Sequence, residues 1–103
     1  MSEAAAVIAI DNGKDSALVS GEGEWTINNA AEIKETLVQA LATEKPVSMD
    51  VTKVTRMDTP VMQLLLSFKQ DAKGKGVDID WQGVNETVRA TSDILGMSAQ
   101  LGF

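Results

Sequence analysis

The feature that most limits how this chain can fold lies between residues 47 and 68, where an alternating stretch passes through Met57-Asp58-Thr59-Pro60 directly into a helix-patterned one. In Val47-Ser48-Met49-Asp50-Val51-Thr52 every second side chain is apolar, the period of a strand with one buried face. Val61, Leu64, Leu65 and Phe68 then recur at i, i+3, i+4 and i+7, the stripe of an amphipathic helix. Proline suits a first helical position, because its missing N–H would have had no partner there. The spacing therefore predicts a helix that begins at Pro60, with Thr59 as its N-cap.

A hydroxyl at that point has two readings. In one, the Thr59 oxygen accepts a hydrogen bond from a first-turn N–H, worth about 1 kcal/mol, and does nothing else. In the other it accepts a phosphoryl group, whose negative charge sits against the positive end of the helix dipole. The helix survives such a modification, and the surface around it changes what it can bind.

Composition narrows the function classes. With 103 residues the chain suits one core, and a single domain spanning residues 1–103 is expected. Its 44% hydrophobic and 23% charged content is that of a folded domain rather than a disordered one. No apolar run approaches the roughly 20 residues of a membrane span, and Met1-Ser2-Glu3-Ala4-Ala5-Ala6 lacks the basic start of a secretory signal. A cytoplasmic location without membrane insertion is expected. The sequence has no Cys, hence no disulfide or thiolate metal site, and no His, the commonest general base and metal ligand. Catalysis, a metal and a cofactor are accordingly not expected. A net charge of -6 disfavours nucleic acid and anionic membranes, which select basic patches, and points to a protein partner.

In chain order, Ala6-Val7-Ile8-Ala9-Ile10 reads as a strand and Asn12-Gly13 as a hairpin signal. A second strand should return antiparallel through residues 16–20 and on toward Trp25, with Gly21 and Gly23 marking a bend, bulge or close backbone contact. Gly21-Glu22-Gly23 lacks the glycine spacing and lysine of a phosphate loop. Asn28 or Asn29 then caps a helix with Ala30, Ile33, Leu37 and Leu41 on one face, ended by Glu44-Lys45-Pro46. After the strand at 47–51, the helix from Pro60 should run to about residue 73, closed by Gly74-Lys75-Gly76.

Val77-Asp78-Ile79-Asp80-Trp81 reads as the fourth strand. The last helix should start near Asn85, with Val88, Thr91 and Leu95 inward and Gly96 as its C-terminal cap. Met97, Leu101 and Phe103 form an apolar tail expected to dock on the domain. Ser48, Asp50, Thr52, Asp78 and Asp80 point away from the apolar positions, so one sheet face is polar and helices should cover only the other. The alternating carboxylates Asp78 and Asp80, like Glu22 and Glu24, read as solvated rather than metal-binding. Met62 and Leu66 fall beside the core stripe, flanked by Lys69 and Lys73, either as a rim of the core or as an apolar contact patch.

The order strand, strand, helix, strand, helix, strand, helix, together with the run Met49-Asp50-Val51-Thr52-Lys53-Val54-Thr55-Arg56-Met57-Asp58-Thr59-Pro60-Val61-Met62-Gln63-Leu64-Leu65-Leu66, resembles the central signature of STAS domains, the family of anti-sigma factor antagonists. That signature is a strand ending in Asp and small residues, a turn reading roughly Asp-Ser/Thr-Ser/Ala-Gly, and a Leu-rich helix. The likeness extends from Gly21-Glu22-Gly23-Glu24 to Val84 and on through Gly96-Met97. It implies a single-domain α/β fold, a four-stranded mixed sheet with helices packed on one face, and a regulatory module without catalysis of its own.

In the family, the hydroxyl residue after the turn Asp is phosphorylated by a partner serine/threonine kinase. Thr59 matches it, and Asp58 matches the acidic residue before it. The unphosphorylated form binds the kinase or its relative, and phosphorylation releases it. The resemblance thus points to a partner surface at the Thr59 loop, Asp58, Thr59 and Pro60, and the apolar pair Met62 and Leu66 beside the core stripe extends the expected surface onto the following helix. Gln63-Leu64-Leu65-Leu66-Ser67-Phe68-Lys69 looks most like small STAS proteins of bacterial chemotaxis signalling. The expected partner is a kinase-type anti-sigma factor or a chemotaxis component, and the N-terminal strand and the 97–103 tail offer self-contact surfaces for a homodimer. Where the family has Ser/Ala-Gly this chain has Pro60-Val61, which stiffens the turn and adds bulk beside the hydroxyl. A constitutive subunit or scaffold of a chemotaxis array or lipid-transport ATPase, without phosphorylation, is therefore the second reading.

Overall fold

Alternating burial along the strands builds the sheet that everything else packs on. In the computed structural model, which describes residues 7–102, β1 (Val7–Asn12), β2 (Ala17–Trp25), β3 (Val47–Met57) and β4 (Ile79–Gly83) form one four-stranded sheet in the order β1-β2-β3-β4. β1 and β2 pair antiparallel, whereas β2–β3 and β3–β4 pair parallel, so the sheet is mixed. The chain reverses at the expected Asn12-Gly13, where the Gly13 N–H donates to the Ser16 carbonyl at 2.9 Å and Asn12 faces Ala17. Ala6, the first residue of the expected strand, lies outside the described residues.

Val19, Val47, Met49 and Val51 are buried, and Ile10, Ile79 and Trp81 stand opposite them in register and pack on the same core. The opposite face carries Asp11, Ser20, Ser48, Asp50 and Asp80, all at least partly open to solvent. The helices α1 (Ala30–Ala42), α2 (Thr59–Gly74), α3 (Glu86–Ile94) and the short α4 (Ser98–Leu101) cover the apolar face, as the polarity pattern predicts. Ile33, Leu37 and Leu41 of α1, Val61, Leu65 and Phe68 of α2, Val88 of α3 and Leu101 of α4 join one core. Each such leucine, isoleucine or phenylalanine contributes about 1.5–3 kcal/mol by leaving water. None of the described helices is long and apolar enough to cross a membrane.

Several boundaries differ from the sequence expectation, each for a local reason. β3 runs to Met57 instead of ending near Val51, because its buried positions change spacing from 47, 49, 51 to 51, 54, 57 while pairing with β2 continues as far as Trp25–Met57. The pairing slips between Ser20 and Glu22 and again between Gly23 and Glu24, and Gly23 takes φ +79°. Gly21 is a close contact: a Cβ there would lie 2.1 Å from the fully buried Trp25 ring. β4 begins at Ile79 rather than Val77, whose N–H instead bonds the Ala72 carbonyl at 2.8 Å and closes the end of α2.

α1 is preceded by a turn of 3-10 helix, Ile27–Asn29, and Asn29 occupies the N-cap position without a side-chain cap bond. Asn85 does cap α3, its Oδ1 accepting from the Val88 N–H at 2.8 Å, and Gly96 ends that helix with φ +70°. The inner face of α3 is Val88 and Ser92, with Thr91 and Leu95 half-buried beside them. The tail docks through Leu101, which is fully buried and whose carbonyl accepts from Lys69 Nζ at 2.8 Å and Trp81 Nε1 at 2.6 Å. Phe103 lies outside the described residues.

Candidate partner-binding site

The strand-to-helix junction is held by main-chain bonds and presents its side chains to solvent. β2 and β3 end side by side, and the Asp58 N–H donates to the Trp25 carbonyl at 3.1 Å. The Asp58 carbonyl in turn accepts from the Met62 N–H at 3.0 Å, the first bond of α2. Asp58 is the N-cap, with extended backbone at φ -77°, ψ 159°, and Thr59 is the first residue of the helix. The sequence expectation of Thr59 as the cap was one residue late. Aspartate caps as well as threonine, and proline is equally tolerated at the second helical position, whose N–H also has no partner. The Asp58 carboxylate makes no cap bond and pairs instead with Arg56, Nε to Oδ1 at 3.2 Å.

Thr59 and Pro60 are exposed, and the Thr59 hydroxyl makes no hydrogen bond among the described residues. Asp58, Thr59 and Pro60 therefore share one surface. Met62 does not belong to it. It is fully buried, because α2 packs against α1 on one flank and α4 on the other, and the buried stripe widens to take it in. Leu66 is half-buried about 10 Å along the axis from Thr59. It lines a cavity of about 530 Å³ with Lys69, Lys73, Val77, Ile79 and Gln100 toward the far end of α2.

Two residues beside the junction escaped the sequence reading. Ile27, 62% exposed, follows β2 at the same end of the sheet as Thr59. An apolar residue between Thr26 and Asn28, off the α1 stripe, was the available signal. Arg56, which the expected strand at 47–51 left outside, lies in β3 and pairs with Asp58.

Elsewhere, Asp50 on the open sheet face is held below the usual carboxylate range by hydrogen bonding from the Thr52 side chain, then by the Thr52 N–H at 3.0 Å, against some desolvation and with help from Lys53. No cluster of three or more metal-ligating side chains occurs among the described residues, and Asp78 and Asp80 are exposed.

The chain matches the STAS family model described as "Mlab, STAS domain" over residues 8–102. No curated protein matches it. Among solved structures, an anti-sigma factor antagonist from Mycobacterium paratuberculosis superposes with a TM-score of 0.81 at 14% identity, covering 92% of this chain and 81% of that one. The anti-sigma factor antagonist SpoIIAA in its unphosphorylated form superposes at 0.76 with 12% identity, covering 91% and 84%. The phosphorylated form of the Bacillus cell fate determinant SpoIIAA gives 0.71 with 11% identity, covering 91% and 87%. At such identities these structures speak for the fold, and the family match extends over nearly all of the sequence. The chain belongs to the STAS family, with the fold of the anti-sigma factor antagonists.

Proposed function

We propose that this protein is a regulatory binding domain that meets a kinase-type anti-sigma factor or another signalling protein through Asp58, Thr59, Pro60 and the adjoining surface of α2 out to Leu66, and that phosphorylation of Thr59 switches the contact. The observation that carries this reading is the Thr59 hydroxyl itself, exposed and without a hydrogen bond among the described residues, at the first residue of a helix anchored by Val61, Leu65 and Phe68. The partner kinase transfers the γ-phosphoryl of ATP. A P–O bond forms to Thr59 Oγ1, the bond from the γ-phosphorus to the β–γ bridging oxygen breaks, ADP leaves, and the hydroxyl proton passes to the kinase's base. The dianion sits favourably at the helix N-terminus, so its effect falls on the partner. Repulsion from an acidic partner surface costs the interface a few kcal/mol at most. That SpoIIAA has been solved both unphosphorylated and phosphorylated, each superposing on this chain, supports a switch that leaves the fold in place.

The second reading, a constitutive subunit of a larger assembly, draws on Pro60, whose exposed ring stands directly beside the hydroxyl and stiffens the turn a kinase must accommodate. Affinity capture from the native lysate with wild type, Thr59→Ala and Thr59→Asp separates the two, combined with the mass of Thr59 peptides from the endogenous protein. A kinase or signalling component on wild type and Thr59→Ala but not Thr59→Asp, with phosphate on Thr59, supports the switch. One partner recovered equally on all three, with no phosphate, refutes it and leaves the constitutive subunit.

A further inference from the structure

Arg56 stands near the end of β3, and three residue-to-residue steps, spanning at most about 11 Å, take the chain from it to Thr59. Its side chain is 65% exposed and meets Asp58, 24% exposed, at the rim of the junction, Nε to Oδ1 at 3.2 Å. Ion pairs this open to water are weakly held and exchange readily. Thr59 directly follows Asp58, so a group carried on the Thr59 oxygen is a chain neighbour of the carboxylate on which the long, exposed Arg56 side chain rests. A phosphate dianion outcompetes a single carboxylate for it, because arginine presents N–H donors in a planar fork that matches phosphate oxygens two at a time.

Building on the reading of Thr59 as the phosphoacceptor, we propose that Arg56 is a phosphate latch, bound to Asp58 in the unmodified protein and transferred to the phosphoryl oxygens once Thr59 is modified. Asp58, left beside the dianion, turns toward the first-turn amides, where its extended N-cap backbone already directs it. The exchange gives phosphorylation two effects on an acidic partner. It adds negative charge at Thr59, and it moves Arg56 from a solvent-exposed carboxylate pair, which a partner's acidic group can displace, into a tighter phosphate pair. A partner that uses an acidic group on Arg56 loses that contact at the moment it meets repulsion.

The test needs no kinase. Phosphothreonine is placed at position 59 by genetic encoding, in the otherwise wild-type chain and in Arg56→Gln, and the phosphate is titrated by 31P NMR. Phosphate ionises for the second time near pH 6. A guanidinium on its oxygens favours the dianion, so the wild-type midpoint should lie about half a pH unit or more below that of Arg56→Gln. The Arg56 Nε–H resonance should also move on comparing the phosphorylated with the unmodified wild type. Coincident midpoints, with circular dichroism showing both proteins folded, overturn the latch. Absence of phosphate on Thr59 in the cell would defeat the switch without touching this titration, and coincident midpoints would defeat the latch without touching the switch.

Discussion

Asn85 holds together the part of the fold that leads to the junction, and replacing it should cost far more than an ordinary helix cap. Its Oδ1 accepts from the Val88 N–H at 2.8 Å, while Nδ2 reaches the β3 carbonyls of Val54 at 2.6 Å, Thr52 at 2.9 Å and, more loosely, Val51 at 3.4 Å. Those carbonyls belong to the stretch where β3 slips out of simple alternation. Asn85→Ala removes the cap, about 1 kcal/mol. It also strips the only side-chain donor from the part-buried Val54 carbonyl among the described residues, a further 1–3 kcal/mol or so if water does not replace it. The sum, about 2–4 kcal/mol, lowers the melting temperature by on the order of 10–20 °C for a domain of this size.

Asn85→Asp separates the two contributions. Aspartate caps as well as asparagine and its charge suits the helix N-terminus, but it cannot donate, and it turns a carboxylate toward carbonyl oxygens. Urea unfolding followed by tryptophan emission should therefore find Asn85→Asp destabilised about as much as Asn85→Ala. A wild-type midpoint for Asn85→Asp would refute the clamp and reduce Asn85 to a cap.

Gly21→Ala places a methyl 2.1 Å from the Trp25 ring, which is fully buried and has little freedom to retreat. A loss of about 1–3 kcal/mol and a shift in Trp25 emission are expected in the same urea experiment, and an unchanged midpoint would show that the ring gives way. Asp50 predicts a pH dependence. Its folded pKa is depressed, chiefly by the Thr52 hydroxyl, so the stability it contributes is present above the unfolded value and is lost as pH falls through the folded one. The difference in stability between wild type and Asp50→Asn should narrow below about pH 4, measured by thermal unfolding across pH 3–6. A constant difference would remove the carboxylate's charge from the account.

Features determined by neighbours in sequence were readable in advance. Asn12-Gly13 marked the hairpin, Ile33, Leu37 and Leu41 the buried side of α1, Asn85 and Gly96 the ends of α3, and the aspartates and serines of the strands the open sheet face. What escaped depends on partners distant in sequence. The slip in β3 is stabilised by Asn85, 31 residues beyond Val54, so a period-two reading had to stop at Thr52. Met62 looked marginal because the stripe of an isolated helix is narrower than that of one packed on both α1 and α4, where the buried set takes in Met62 while Leu64, lining the seam with α1, stays half-buried. The one-residue error at Thr59 reflects two residues with equal capping chemistry standing side by side before a proline that fits either register.

Which residue caps α2 decides the chemistry of the site. A threonine serving as cap would have its oxygen tied to a backbone N–H, and modifying it would trade helix stability for signalling. With Asp58 in the cap position, the junction is secured by the Asp58 main chain, to Trp25 on one side and Met62 on the other. Among the described residues, the side chains at 58, 59 and 60 are then free of the fold's own bonding, apart from the exposed pair with Arg56. The fold fixes the position of the Thr59 oxygen without using it. Under the proposed switch, a group added there would act on whatever binds the surface while the domain beneath presents the same helix.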